Sequence, residues 1–167
     1  MVPQDQMADP GEKTFFDVGA DDIQKEFDLN MRGTWLPSKV MTPLLIGQPG
    51  ACVLNVSSMS AFTPLTRIPG YSGAKAGVSN FTQWLATYLA RSGVRVNAIA
   101  PGFFMTEQNH ALQFNPDGTP TPRCAHIVDG TPMRRYGELK ELIGAMLFLV
   151  DERAASFVTG IVLPVDG

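Results

Sequence analysis

Apolar residues in the first third of the chain recur with the period of a helix. The repeat follows two acidic residues, and it predicts a long helix over about 20 to 45. Because proline interrupts helical hydrogen bonding, we expect Pro37 to bend this helix and Pro43 to mark its closing turn. The segment before the helix, 1–19, lacks periodicity and is predicted to be a loop or tail. The repeating apolar positions are Ile23, Phe27, Met31, Trp35, Val40 and Leu44.

Short apolar runs in the rest of the chain alternate with longer helical patterns. Runs of this length, bounded by glycine and proline, are typical of strands that are buried on both faces. Between the second strand and the last helix, the segment from about 103 to 135 is predicted to be irregular. The predicted strands are about 51–56, 94–100 and 160–165, and the further predicted helices are about 71–91 and 138–150.

The alternation of strands and helices predicts the fold class. Strands that are separated by helices are joined by right-handed crossovers, which give a parallel sheet. The chain is therefore predicted to be an α/β protein with a doubly wound parallel sheet. Such sheets bind ligands beyond the carboxyl ends of their strands. Two of those ends are followed by Ser57-Ser58 and by Pro101-Gly102, so we expect the chemistry there.

Composition narrows the classes of partner. The 167 residues suit one domain, with a net charge of −3 and no basic cluster beyond Arg134-Arg135, which argues against nucleic acid and anionic membranes. No apolar stretch is long enough to span a bilayer, and the polar N-terminus does not resemble a signal peptide. Cys52 and Cys124 match no metal-ligand spacing, so we expect no metal and a reducing, cytoplasmic setting. A small molecule or another subunit is the expected partner.

The predicted helix after the first strand carries a possible acid and base. Tyr71 stands four positions before Lys75, so a phenol and an ammonium lie on one helical face. Such a pair is also common on protein surfaces. Ser58 precedes Tyr71 by thirteen residues, and Asn30 lies on the inward stripe of the first long helix. Taken singly, Ser58 suits a turn or cap and Asn30 suits a satisfied core amide; together they indicate a site.

The order of these motifs resembles the short-chain dehydrogenase/reductase family over about 27 to 167. The resemblance implies that the chain is the second half of a Rossmann-like doubly wound parallel sheet, in one partial domain over 1–167. The motifs are Asn30, Asn55-Val-Ser-Ser58, Tyr71-Ser-Gly-Ala-Lys75, Asn97-Ala-Ile-Ala-Pro-Gly102, Thr106, Val158-Thr-Gly160 and Val165-Asp-Gly167.

The resemblance also implies a role for each matching residue. Tyr71 would donate a proton to a substrate carbonyl, or accept one in the reverse direction, while Ser58 holds the carbonyl oxygen. Lys75 would contact the ribose of NAD or NADP and favour the phenolate form of the tyrosine. Asn30 would support a water relay behind the lysine. The cofactor would also meet Pro101, Gly102, Phe104 and Thr106, although Thr106 also suits a helix cap.

A narrower resemblance is to the D-mannonate oxidoreductases, or fructuronate reductases, of the short-chain type. It implies a keto sugar acid and its hydroxy acid as substrate and product. We expect Arg67 to bind the carboxylate, and Gln108 and Asn109 to bind hydroxyls. The segments that carry it are Ser58-Met-Ser-Ala-Phe-Thr-Pro-Leu-Thr-Arg67-Ile-Pro, Phe81-Thr-Gln-Trp84-Leu, Pro101-Gly-Phe-Phe-Met-Thr-Glu-Gln-Asn109 and Ala155-Ser-Phe-Val158.

The sequence lacks the glycine-rich turn that holds a dinucleotide pyrophosphate. We therefore expect a truncated copy that binds dinucleotide poorly alone, with the first strand left open along one edge. Two alternatives stay open. One is a short-chain reductase of another carbonyl or sugar-alcohol substrate. The other is a non-catalytic fragment whose helices form a subunit interface. The complete protein is expected to be a homo-oligomer, dimer or tetramer, with interface candidates Trp35, Phe81, Trp84 and Tyr88.

Overall fold

The structure is a computed structural model that describes residues 14–65 and 67–167, apart from the side chain of Gln108. Its three strands form one parallel sheet in the order β1-β2-β3, which confirms the predicted α/β class. The strands are β1 (Cys52–Val56), β2 (Arg95–Pro101) and β3 (Val162–Val165). The helices are α1 (Ala20–Phe27), α2 (Gly33–Met41), α3 (Pro69–Leu89), α4 (Glu107–Gln113), α5 (Pro122–Gly130), α6 (Glu141–Val150) and α7 (Glu152–Ala155).

Strand β2 is the centre of the sheet. It pairs with β1 in a register that sets Asn55 opposite Ala98, and with β3 in a register that sets Ile99 opposite Leu163. Six of its seven residues are buried, as its continuous apolar pattern predicts for a central parallel strand. Among the described residues β1 pairs with β2 alone, so its other edge is open, and Val56 is 50% exposed.

Helix α3 packs against β2 and forms most of the apolar core. Phe81, Leu85 and Leu89 recur at four-residue spacing and meet Val94, just before the central strand, and Val96 within it. A buried polar contact joins the same helix to β1: Asn55 Nδ2 donates to Thr82 Oγ1 at 2.9 Å, and both side chains are buried. A paired amide and hydroxyl fix the position of β1 against α3 without leaving either group unsatisfied.

The first long helix differs from the prediction. A π-helical turn over Asp28–Arg32 separates α1 from α2, whereas Pro37 lies within α2 without ending it. Asn30 lies within this turn, and its Nδ2 donates to the main-chain oxygen of Glu26 at 3.1 Å. The side chain thereby adds a donor to the carbonyl that the Asn30 N–H bonds in a regular α-helix. Pro43 lies in the closing 3-10 turn, Thr42–Leu44, as predicted.

The segment predicted to be irregular, 103–135, contains two helices. Thr106 caps α4, and Thr121 caps α5, which begins at Pro122. A capping threonine followed by proline at the first helical position is a recognisable start signal. The prediction of an irregular segment was wrong here, because each threonine cap starts a helix that apolar periodicity alone does not reveal.

Helix α6 is held at both ends by arginine. At its C-terminus the buried Arg95 donates to the main-chain oxygens of Leu149 (2.7 Å) and Val150 (3.2 Å). At its N-terminus Arg135 makes two hydrogen bonds of 2.7 Å to the carboxylate of Glu141. None of the helices in the described ranges could cross a membrane.

The Arg135–Glu141 pair predicts a specific loss of stability in acid. The hydrogen bonds from Arg135 lower the pKa of Glu141 from 4.5 to about 2. A lowered carboxyl pKa stabilises the fold above the unfolded-state value, and this contribution is lost as the pH falls from about 4.5 to about 2. In Glu141→Gln the free energy of unfolding should therefore vary less with pH over that range.

Urea denaturation at several acidic pH values measures this effect. Asp129→Asn is the matched control, because it removes an exposed carboxylate that is paired with the neighbouring Arg134. If the free energy of unfolding falls with acidic pH in Glu141→Gln as steeply as in the unsubstituted chain, the prediction is contradicted.

Candidate active site

The residue that follows β1 ties the sheet to helix α3. The Ser57 N–H donates to the main-chain oxygen of Ile99 at 2.8 Å, so pairing with β2 continues one residue beyond the strand. The Ser57 hydroxyl donates to the main-chain oxygen of Lys75 at 3.1 Å and lies 2.6 Å from Ser79 Oγ. Since a serine hydroxyl has a single proton, Ser79 is the donor in the second contact. Ser57 thus fixes the turn of α3 that carries Lys75.

Ser58 lies next to this tie and points its hydroxyl into a tight turn. Its backbone is extended, with φ −162° and ψ 156°, and it caps a short 3-10 helix, Met59–Ala61. Ser58 Oγ accepts a hydrogen bond from the Ser60 N–H at 3.2 Å and lies 2.7 Å from Ser60 Oγ. The 3-10 helix packs against α3, so the hydroxyl is held beside the helix that carries the tyrosine.

Tyr71 and Lys75 lie side by side near the N-terminus of α3. Lys75 Nζ is 5.7 Å from the centroid of the Tyr71 ring and donates to the main-chain oxygen of Val56 at 2.9 Å. Both side chains are partly buried. Burial lowers the pKa of Lys75 below its usual value, because removal from water disfavours the ammonium form. The lysine is therefore anchored at the end of β1, and its charge faces the tyrosine ring.

Asn30 and Lys75 border one cleft. The cleft has a volume of about 410 Å³ and runs along the open edge of β1, between that strand and α2. Asn30 Nδ2 donates to the main-chain oxygen of Glu26 and, at 3.0 Å, to its carboxylate. Both amide protons of Asn30 thus donate to oxygen atoms of Glu26. The side-chain oxygen of Asn30 accepts no hydrogen bond within the described residues and is available to a water molecule.

The segment after β2 turns sharply against the end of β3. The Gly102 N–H donates to the main-chain oxygen of Val165 at 3.0 Å, and a Cβ atom on Gly102 would lie 2.6 Å from that of Asp166. Phe104 is buried and pairs with Gly137, where a Cβ atom would lie 2.5 Å from the ring. Only glycine fits at these two positions. They hold the start of the segment 103–137 at the carboxyl edge of the sheet.

The remaining predicted site residues lie at the start of α4 and in the turn before α3. Thr106 Oγ1 accepts from the Asn109 N–H at 3.2 Å, and Asn109 Oδ1 accepts from the Thr106 N–H at 2.9 Å. Asn109 Nδ2 donates to the main-chain oxygen of Phe104 at 2.8 Å. Asn109 thus makes its hydrogen bonds within its own loop. Among the described residues, the Thr106 hydroxyl accepts a hydrogen bond and donates none. Arg67 is exposed in the turn before α3, and the Gln108 side chain lies outside the described residues.

Sequence reasoning missed two serines that the structure brings to the site. Ser79 lies four residues after Lys75, so helical spacing alone places it on the same face of α3. Ser60 gives no such signal, since its contact with Ser58 depends on the 3-10 turn between them.

Comparisons with known proteins show what this chain is similar to. A family model for enoyl-(acyl carrier protein) reductases matches residues 6–167. An uncharacterized oxidoreductase of Haemophilus influenzae is 55% identical over 155 residues, which cover 93% of this chain and 54% of the relative. The uncharacterized oxidoreductase UxuB of Bacillus subtilis is 48% identical and is covered to 56%.

A solved structure has a closely similar fold. It is a crystal structure from Haemophilus influenza, provisionally named a D-mannonate oxidoreductase, with bound NAD. The TM-score is 0.90 at 53% identity, over 96% of this chain and 57% of the other. The chain thus spans a little over half the length of these relatives, and the match includes all three strands.

The tie between Ser57, Ser79 and Lys75 predicts a measurable loss of stability. Ser57→Ala removes a buried hydroxyl and leaves the partly buried Ser79 hydroxyl and the Lys75 carbonyl without their partner, which should cost about 1–3 kcal/mol in the free energy of unfolding. Urea denaturation measures the loss. Ser156→Ala, in an exposed turn, should change stability by less than about 0.5 kcal/mol. Equal stability of the two variants would show that the tie is unimportant.

Proposed function

The chain belongs to the short-chain dehydrogenase/reductase family, and from this we propose that it forms the proton-transfer half of an NAD(P)-dependent oxidoreductase. One observation carries the proposal: the ammonium of Lys75 is fixed at the end of β1 by the Val56 carbonyl and faces the ring of Tyr71. Ser58 lies at the same strand end. Acid, cation and hydroxyl therefore share the sheet edge where parallel folds bind ligands.

The residues present fit one end of a nicotinamide dinucleotide. Lys75 uses one of its three N–H donors on Val56, and the other two suit ribose hydroxyls. Tyr71, Gly102, Phe104 and Thr106 lie at or near the same edge. When bound, the nicotinamide supplies the hydride. The strand-to-helix turns among the described residues contain no glycine-rich phosphate loop, so none of these turns would hold the pyrophosphate.

The proton chemistry belongs to the chain's own side chains. The Tyr71 hydroxyl donates to the carbonyl oxygen of the substrate during reduction, and Ser58 stabilises the charge on that oxygen. The ammonium of Lys75 lies beside the ring of this tyrosine. Asn30 and Lys75 border one cleft, and the free amide oxygen of Asn30 would hold a water that returns a proton through the lysine.

A keto sugar acid of the fructuronate type is the substrate we favour. The provisional name of the Haemophilus structure supports this choice, and Arg67 supplies an exposed cation before α3 for the substrate carboxylate. Asn109 supports it less, because its amide bonds to Thr106 and Phe104. Another carbonyl or sugar-alcohol substrate is the alternative within the same family.

We propose a homo-oligomer, dimer or tetramer, for the complete protein in the cytoplasm. The support is an aromatic row on α3, in which Phe81, Trp84 and Tyr88 stack with centroid distances of 6.1 and 5.2 Å. Trp84 and Tyr88 are 55% and 69% exposed, and Trp35 on α2 is 40% exposed. Large exposed aromatic residues are typical of subunit interfaces. The same row is what favours the second candidate function, a non-catalytic interface fragment.

A hybrid protein tests the proton-transfer role. In this hybrid the chain replaces the segment of the Haemophilus influenzae oxidoreductase to which it aligns. Tyr71→Phe removes the acid and should lower the turnover of fructuronate with NADH by about 10²- to 10⁴-fold, while NADH binding persists. Absorbance at the NADH band measures turnover, and fluorescence titration measures binding.

Tyr88→Phe is the matched control, because it removes a phenol from the exposed face of the same helix. It should keep full turnover. Retained turnover in Tyr71→Phe would sink the proposed role. The 167-residue chain alone is expected to show no turnover, and saturable NADH binding with turnover by that chain would contradict the expectation.

Arg67→Met in the hybrid tests the choice of substrate. Loss of a charge-assisted contact to the carboxylate is worth about 1.5–3 kcal/mol, so the KM for fructuronate should rise at least tenfold. The kcat/KM for an uncharged ketose should stay the same. An unchanged KM for fructuronate would exclude Arg67 as the carboxylate-binding residue and leave the Tyr71 result intact.

A further inference from the structure

Two buried serine hydroxyls share one short contact beside the proposed catalytic group. Ser58 Oγ and Ser60 Oγ are 2.7 Å apart, and the Ser60 N–H donates to Ser58 Oγ at 3.2 Å. The two residues are 8% and 6% exposed. The proposed function assigns a role to Ser58, and nothing so far assigns one to Ser60.

The direction of the short contact decides what Ser58 can do. A serine hydroxyl donates one hydrogen bond and accepts two. If Ser58 donates to Ser60, its only proton is committed and it cannot donate to a substrate oxygen. If Ser60 donates to Ser58, both acceptor positions of Ser58 Oγ are filled by Ser60, and the Ser58 proton stays available. Only in the second arrangement can Ser58 donate a hydrogen bond to a substrate oxygen.

We propose that Ser60 is a positioning residue whose hydroxyl donates to Ser58 Oγ and so directs the Ser58 proton to the carbonyl oxygen of the substrate. The inference rests on the proposed function, because it needs Ser58 to meet that oxygen. Within the described residues Ser58 Oγ is the one partner of Ser60 Oγ, so the Ser60 proton has no competing acceptor. Hydrogen bonds in such a chain also polarise one another, which strengthens the terminal donor.

Two substitutions separate this role from a structural one. Ser60→Ala keeps the N–H that donates to Ser58 but removes the hydroxyl, so Ser58 loses one of two donors. Ser60→Thr keeps both donors. The loss in kcat should be about three- to tenfold in Ser60→Ala, smaller than the roughly 10²- to 10³-fold effect of removing a direct donor to an oxyanion. Ser60→Thr should restore kcat.

The first measurement uses the 167-residue chain without cofactor or substrate. With serine labelled at ¹³Cβ, a slowly exchanging hydroxyl gives two Cβ signals in a mixture of H₂O and D₂O, and a rapidly exchanging one gives an averaged signal. We expect two signals for Ser60, whose proton is held, and one for Ser58. Two signals for Ser58, or an averaged signal for Ser60, would overturn the proposal.

The second measurement uses the hybrid protein. In Ser60→Ala we expect a lower kcat and a nearly unchanged KM, with Ser156→Ala unchanged in both. If Tyr71→Phe abolishes turnover while Ser60→Ala keeps the full kcat, the role of Ser60 is wrong and the proposed function stands. If Tyr71→Phe keeps turnover, the proposed function itself fails, and the hydroxyl exchange in the isolated chain still decides the direction of the contact.

Discussion

A reciprocal pair of hydrogen bonds joins the end of β1 to helix α3, and the geometry of the site depends on it. Lys75 Nζ donates to the main-chain oxygen of Val56, while the Ser57 hydroxyl donates to the main-chain oxygen of Lys75. One bond fixes the side chain and the other fixes the backbone of the same residue. Movement of the lysine away from the strand would therefore break the contact with Val56 and leave the partly buried Ser57 hydroxyl without its acceptor.

This arrangement disfavours the charged form of Lys75. Partial burial lowers its pKa, because the ammonium form loses hydration, and a single carbonyl compensates only in part. A cation held in this way still has hydrogen-bond donors to offer a ligand. The site thus favours polar groups that can reach the cleft along β1.

Strand β1 has an edge that pairs with no other described strand, and a cleft runs along it. The cleft is lined by residues of β1 and α2 and by Asn30 and Lys75. The chain covers 54% and 56% of the length of two of its relatives. In the proposed function, the groups that transfer the proton are arranged by this chain alone, beside the end of β1.

The sequence by itself determined the strands, the long helix α3 and the pairing of Tyr71 with Lys75, because apolar period and helical spacing are local properties of the chain. It could not determine the π-turn over Asp28–Arg32, because the apolar period of that segment fits a continuous helix equally well. Nor could it show that Asn109 bonds to its own loop or that Ser60 contacts Ser58. Those contacts were decided by the tertiary structure, because hydrogen-bond partners are chosen by distance and burial, which spacing along the chain does not encode.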